Sequence, residues 1–264
     1  MNIVVCIKQV PGSSKVDIDE ATGVLRRDGA EAKMNPYDLY ALETAVRIRE
    51  QVGGRVVAVT MGPGQAEEMM KEAYMMGVDD AYIFSDRKFA GADVLATAYT
   101  ISQGILAIGD FDLIVCGKQT TDGDTAQVGP AIAEYLKIPH TAWVGGIPQV
   151  TEDKIVVEQD LVNITQTAEM KLPCLITVEK DIYTPRLPSY KLKMATKERP
   201  VHILTFDDFK DKNEKNYGLN GSATNVERIF PPAVSDDHVY FEGDSTEKIQ
   251  ALYGMLADKK YVNV

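Results

Sequence analysis

Residues 117–129, GKQTTDGDTAQVG, hold the densest set of groups able to do chemistry, and that chemistry is anion binding. The segment follows a short apolar strand signal at 112–116 and precedes an apolar helical period, the place where an open α/β sheet presents its ligands. Asp124 and Gln127 stand at capping-box spacing, with Asp in place of the usual Ser or Thr, so a helix is expected over 125–136. Its first backbone N–H groups would suit a nucleotide phosphate. Gly117, Gly123 and Gly129 would let the backbone approach closely, and Lys118 would offset Asp122 and Asp124. Gln119, Thr120, Thr121, Thr125, Ala126 and Val128 complete the candidate set. A tight loop before a well-capped helix, with no ligand, is the competing reading, and spacing alone does not separate the two.

Other chemistries find little support. No GxGxxG follows the first strand and no GxxxxGK[ST] occurs, which disfavours a standard Rossmann dinucleotide site or a P-loop. His140, His202 and His238 are scattered, and no Ser/His/Asp or Cys/His arrangement is defensible. Asp79-Asp80 and Asp207-Asp208 read as solvated loop charges. Cys6, Cys116 and Cys174 each lie in or beside a β-like run without CxxC spacing, as small buried hydrophobes do in a reducing compartment. No catalytic side chain is assigned and no metal is expected. Any reaction belongs to a cofactor, and whether the chain counts as an enzyme stays open.

The elements that must position these residues alternate strand and helix. The chain has 264 residues, 45% hydrophobic and 25% charged, which suits one substantial globular core. A net charge of -11 excludes a broad nucleic-acid surface. No apolar run reaches membrane-span length and residues 2–8 read as a strand, so a cytoplasmic protein is expected. A short hairpin is expected over 16–26, with Ala21-Thr22-Gly23 near its turn. Asn35-Pro36 opens a helix, Asn as cap and Pro at its first position, which Gly53-Gly54 ends. A strand at 55–60, a helix ending near Gly77, a strand at 80–84 and a helix through about Ile108 follow. This is the pattern of a doubly wound parallel sheet, a Rossmann-like α/β fold. Met69, Met70, Met75 and Met76 are read as packing. Residues 142–171 read as two or three antiparallel strands and 173–179 as one more buried strand, giving a small antiparallel section. Residues 184–199 are locally basic, 211–235 read as an extended arm, and 246–257 as a terminal helix.

Four stretches, NIVVCIKQV, MNPYDLYALETAVRIRE, VTMGPGQAEE and GKQTTDGDTAQVGP, occur in an order and at separations that resemble the beta subunit of electron-transfer flavoproteins. The likeness continues through PCLIT and TPRLPSYKLKMATKERP and so covers nearly the whole chain. It implies a nucleotide lying against Cys6, Asn35, Tyr37, Asp38, Met61 and residues 120–131. Cys6 then has a second reading, with its backbone facing the adenine or ribose. Tyr37 falls where the family often has an aromatic residue near the partner subunit's flavin, with ordinary packing as the alternative. It also implies domains at 1–183 for the nucleotide, 184–200 for partner recognition, and 201–264 as an arm and helix on the alpha subunit.

Conventional members hold AMP in this subunit, and an electron-bifurcating subgroup holds FAD. SDRKFAGADVLAT, residues 85–97, and GLNGSATNVERIFPP, residues 218–232, resemble the bifurcating subgroup, which makes FAD the expected cofactor and AMP the alternative. FAD needs a further anion site, and Gly91, Ala92, Asp93 and Thr97, with Asp93 capping a helix, are the residues expected to form it. The same resemblance implies NADH as electron donor and the alpha subunit as partner. It implies a flavin-containing dehydrogenase of acyl-CoA dehydrogenase type as one acceptor, and ferredoxin or flavodoxin as the other. The family's leucine anchor in the recognition loop is shifted or replaced here, with Leu187 and Tyr190 nearby. A universal-stress-like nucleotide-binding regulatory module would explain the doubly wound core but neither the antiparallel strands nor the basic loop.

Overall fold

Strands apolar on both faces must be covered on both sides, and Ile3, Val4 and Val5 in the first strand are all buried. The computed structural model describes residues 1–12, 17–18, 25–26, 32–161, 163–227 and 238–262, with backbone pairing alone at 17–18 and 25–26. In chain order the elements are β1 (Asn2–Cys6), β2 (Gln9–Pro11), β3 (Asp17–Ile18), β4 (Leu25–Arg26), β5 (Ala32–Met34), α1 (Pro36–Val52), β6 (Arg55–Met61), α2 (Glu67–Met76), β7 (Asp80–Phe84) and α3 (Val94–Ile108). They continue with β8 (Leu113–Gly117), α4 (Val128–Leu136), β9 (His140–Val150), β10 (Lys154–Leu161), β11 (Ile164–Lys171), β12 (Cys174–Val178), α5 (Tyr190–Ala195), β13 (His202–Leu204), α6 (Gly218–Gly221) and α7 (Ser245–Asp258).

Among the described residues one nine-stranded sheet runs β11-β10-β9-β12-β8-β1-β6-β7-β13. The pairings from β9 through β12, β8, β1, β6 and β7 to β13 are parallel, and β9-β10-β11 is antiparallel. The expected antiparallel strands are therefore three, and the first also runs parallel to β12. Side chains alternate across the sheet. Ile3 and Val5 join Leu42, Val46 and Met70 under α1 and α2, while Val4, Val57 and Val59 join Ile101, Ile105 and Ile132 under α3 and α4. Gly77 closes α2 in the left-handed region at φ 111°, and Met69, Met70 and Met76 are buried beneath that helix. The pairing of β3 with β4 agrees with the expected hairpin, whose turn lies outside the described residues.

The stretch after residue 200 departs from an arm. β13 adds to the sheet edge beside β7, and three buried aromatics follow it: Phe209 packs on Phe84 and Phe89, Tyr217 on Phe89, and Phe206 on Tyr217. These aromatics fall at no helical or strand period, so only their burial reveals them. Residues 1–227 form one compact unit and residues 228–264 a second. In the second, α7 starts at a capping box made by Asp244 and Glu247. Among the described residues no helix is long and apolar enough to cross a membrane.

Candidate functional site: a nucleotide crevice

The chain leaves β1 through α1 to β6 on one side and returns, after β7 and α3, to β8 on the other. Strand order thus reverses between β1 and β8, and the crevice beyond their carboxyl ends is where such sheets take ligands. Cys6 and Cys116 are register partners at that edge. The contact with Cys6, with burial added, holds the Cys116 thiol well above its ordinary value, so it stays protonated.

Helix α1 begins in this crevice. Asn35 is fully buried, yet its side chain does not cap α1. Instead its Nδ2 donates to the Gln119 carbonyl at 2.8 Å and its Oδ1 accepts the Thr121 N–H at 3.2 Å, so the residue expected to start the helix holds the loop. Asp38, one turn on, is also buried, and its Oδ2 accepts the Lys8 N–H at 2.8 Å. Burial pushes its carboxyl up to about 7, against hydrogen bonds from Asn35, Lys8 and Gly117. Tyr37 is half-buried, and its backbone packs against Gly117, where an added Cβ would lie 2.8 Å from the Tyr37 carbonyl carbon.

The loop after β8 differs from expectation in three ways. First, α4 starts at Val128 rather than Thr125, its N-cap is Gln127, and no side chain caps it. Asp124 sits in the left-handed region at φ 53°, bonded through its carboxylate to the Gln119 amide and through its N–H to the Thr120 carbonyl at 3.0 Å. A local loop closure has outcompeted the capping box. Second, Lys118 turns away from the acids and pairs with Glu179, and Asp122 is bound by Lys8 Nζ at 2.7 and 2.8 Å instead. Burial works to raise the Asp122 carboxyl, but hydrogen bonds from Lys8 and Thr120 outweigh it and leave it lowered. Third, the glycines serve different ends. A Cβ at Gly129 would meet Thr177 at 2.6 Å, so Gly129 lets α4 pack on β12, whereas one at Gly123 would come no closer than 3.5 Å to Thr120. Thr125 is exposed and Ala126, at φ 54°, is half-buried. Because Pro130 has no N–H, Val128 and Gly129 carry the amides at the uncapped start of α4.

A second place forms along the same sheet edge, beyond β6 and its half-buried Met61. Asp93 caps α3 as expected, accepting the Ala96 N–H at 3.0 Å. Its other oxygen accepts the N–H groups of Ala223 and Thr224 at 2.8 and 2.9 Å and the Thr224 hydroxyl at 3.0 Å. The Asp93 N–H donates to the Ser222 hydroxyl at 2.8 Å, and the Leu219 N–H to the Ala90 carbonyl at 3.0 Å. Gly91, at φ 74°, packs on Leu219; Ala92 is half-buried, and the Thr97 N–H bonds the Asp93 carbonyl within α3. Segments 85–97 and 218–224 are therefore one structure. Residues 228–232 of the tail motif lie outside the described residues.

Sequence reading missed Lys8, Glu179 and Trp143. Lys8 carried a signal, a cation two residues beyond a strand ending at the ligand edge. Trp143 takes φ 59°, rare for a bulky residue. Its N–H donates to the Thr177 hydroxyl at 3.0 Å, and Lys118 Nζ lies 4.9 Å from its ring centre. Among the described residues no cluster of three His, Cys, Asp or Glu could hold a metal.

A family model for the electron transfer flavoprotein domain matches residues 22–209. The chain is 44% identical over 264 residues to the electron transfer flavoprotein subunit beta of Thermoanaerobacterium thermosaccharolyticum, covering 99% of this chain and 100% of that one. It is 39% identical to the caffeyl-CoA reductase-Etf complex subunit CarD of Acetobacterium woodii, and 37% to the acryloyl-CoA reductase electron transfer subunit gamma of Anaerotignum propionicum, each with 99% of this chain and 100% of the relative covered. A stand-alone regulatory module is set aside. With its switch-point crevice, its antiparallel extension and these relatives, the chain belongs to the electron transfer flavoprotein family, among the beta subunits.

Proposed function

We propose that this beta subunit binds FAD and, paired with an alpha subunit, bifurcates electrons from NADH. The observation that carries the reading is the ledge beyond β7. The two segments that resemble the bifurcating subgroup, about 130 residues apart in sequence, converge on Asp93, and on this reading they would lengthen the crevice edge for a ligand larger than AMP. When bound, the flavin would take a hydride from NADH and release electrons singly, one to the alpha subunit's FAD and on to a dehydrogenase, the other to ferredoxin or flavodoxin. The chain's own residues bind and orient. The uncapped amides of Val128 and Gly129 would hold the phosphates, Asn35 and the Lys8–Asp122 pair hold the loop, and Cys6 and Met61 would floor the crevice. Gly91, Ala92 and Thr97 shape the far end.

AMP has one observation in its favour. Asp93 places its own carboxylate at the start of α3, which opposes a phosphate there and leaves α4 as the better anion site. On the FAD reading the pyrophosphate therefore sits at α4, and the ledge contributes shape rather than charge.

Segment 184–200 would dock the flavin-containing dehydrogenase, and the exposed Ile249, Leu252 and Tyr253 stripe of α7 would pack on the alpha subunit. A cytoplasmic location fits both roles. The test is flavin stoichiometry of the co-expressed heterodimer. Two FAD per heterodimer with NADH-dependent bleaching is expected; one FAD and one AMP rejects the proposal.

A further inference from the structure

One polar stripe of α1 is not a solvent face. Tyr40, Glu43, Arg47 and Glu50 recur at spacings of three, four and three, which stacks them on one side of a helix. Each meets residues 181–186 or a neighbour that does. The Tyr40 hydroxyl reaches Asp181 at 3.2 Å, and the Arg47 guanidinium lies 4.7 Å from the Tyr183 ring centre. Glu50 takes both terminal nitrogens of Arg186 at 2.7 and 3.1 Å.

Glu43 is the hub. Its side chain is 2% exposed, and it accepts Arg186 Nε at 2.8 Å, the Arg186 backbone N–H at 3.0 Å and Arg47 Nε at 2.6 Å. A buried carboxylate with this many charge-assisted donors fixes what it holds in one geometry. Two further ties follow along the chain, from the Ser189 N–H to the Met75 carbonyl at 2.9 Å and from the Tyr74 hydroxyl to the Pro200 carbonyl at 2.6 Å. Between these ties the segment lifts large apolar side chains into solvent, with Leu187 87%, Tyr190 75% and Met194 57% exposed. Lys191, Lys193 and Lys197 are exposed around them. The segment's two arginines are instead tied to the body of the chain, Arg186 to Glu43 and Glu50 and the exposed Arg199 to the Asp79 carbonyl at 3.0 Å.

We infer that Glu43 is a positioning residue for partner docking: through Arg186 and Arg47 it presets the backbone that presents Leu187 and Tyr190. The inference rests on the reading that segment 184–200 docks the dehydrogenase. It adds that the segment meets its partner already ordered, so the ordering cost is met in folding rather than at each encounter.

The test uses the co-expressed heterodimer with an acyl-CoA dehydrogenase as the varied electron-transfer substrate, and amide hydrogen exchange as an independent readout. Glu43→Gln should raise KM for the dehydrogenase about tenfold, the equivalent of leaving one more residue to be ordered at docking. It should leave kcat and bound nucleotide unchanged and speed exchange over 184–197. Arg186→Met, which keeps Glu43 paired with Arg47, should do the same. The double variant should be no worse than the more impaired single, because both act through one tie. Leu187→Ala tests the docking reading separately. If Leu187→Ala raises KM while neither Glu43→Gln nor Arg186→Met does, the positioning role is refuted and docking stands. If Leu187→Ala leaves KM unchanged, the docking reading fails and the inference with it. Should Glu43→Gln lose its nucleotide, Arg186→Met decides the matter alone.

Discussion

Asp38→Asn should change how the stability of this chain depends on pH, and the sign follows from burial. Desolvation raises the Asp38 carboxyl from 3.8 to about 7, so between those values the folded chain keeps a proton that the unfolded chain has released. The stabilisation is complete below the unfolded value and is lost as pH rises through the folded one. One proton is worth at most about 1.4 kcal/mol per pH unit, so about 2 kcal/mol should disappear between pH 5.5 and 7 and little more above it. Asn cannot titrate. It keeps an acceptor for the Lys8 N–H but turns an amide donor toward Gly117, a fixed cost of about 1–3 kcal/mol that does not vary with pH. Urea unfolding of the full chain and the variant, at half-unit steps from pH 5.5 to 8, separates the two contributions. The stability of the parent relative to the variant should fall by about 2 kcal/mol as pH rises. Parallel curves, with the difference constant to within about 0.5 kcal/mol, would show that Asp38 does not hold a proton near neutrality and would refute the reasoning.

Three further substitutions probe the same sheet edge. Asp93→Ala removes the α3 cap and the bonds to Ala223 and Thr224, and should cost about 2–3 kcal/mol with faster amide exchange at 222–225; unchanged exchange there would contradict the tie. Burial opposes the lowering of the Asp93 carboxyl, but its hydrogen bonds prevail, so this contribution is present above the unfolded value and fades as pH falls below about 4. Gly117→Ala should drive a methyl into Asp38 and the Tyr37 backbone, costing about 1–3 kcal/mol and releasing nucleotide, while Gly123→Ala stays within about 0.5 kcal/mol of the parent. Equal behaviour of the two in a thermal melt and in nucleotide retention would remove the distinction drawn between these glycines.

Most of the fold was legible because period and punctuation agree. The apolar runs at β1, β6, β7, β8 and β12, the Pro that opens α1 and the glycines that close α1 and α2 each have one local solution. What escaped is what tertiary context decides. Asp124 and Gln127 satisfied the spacing of a capping box, yet Asp124 found Gln119 nearer, and α4 was left uncapped. Lys118 lay beside two acids in sequence but pairs with Glu179 from β12's exit. Phe206, Phe209 and Tyr217 had no period because they fill a cluster rather than line an element. Candidate site residues grouped by sequence fell into two places, the switch-point crevice and the ledge, and only three-dimensional structure joins residues 218–224 to the latter.

Helix α1 has its first turn in the crevice and its polar stripe beneath the docking segment, and the two are locked in phase. Asp38 and Glu43 are five residues apart, about 7.5 Å along one rod. A single residue inserted or deleted between them would swing the stripe by about 100° relative to the crevice and leave Arg186 facing the wrong side. The spacing from 38 to 43 therefore works as a gauge, with Ala41 and Leu42 buried between its ends and no tolerance of any change in length.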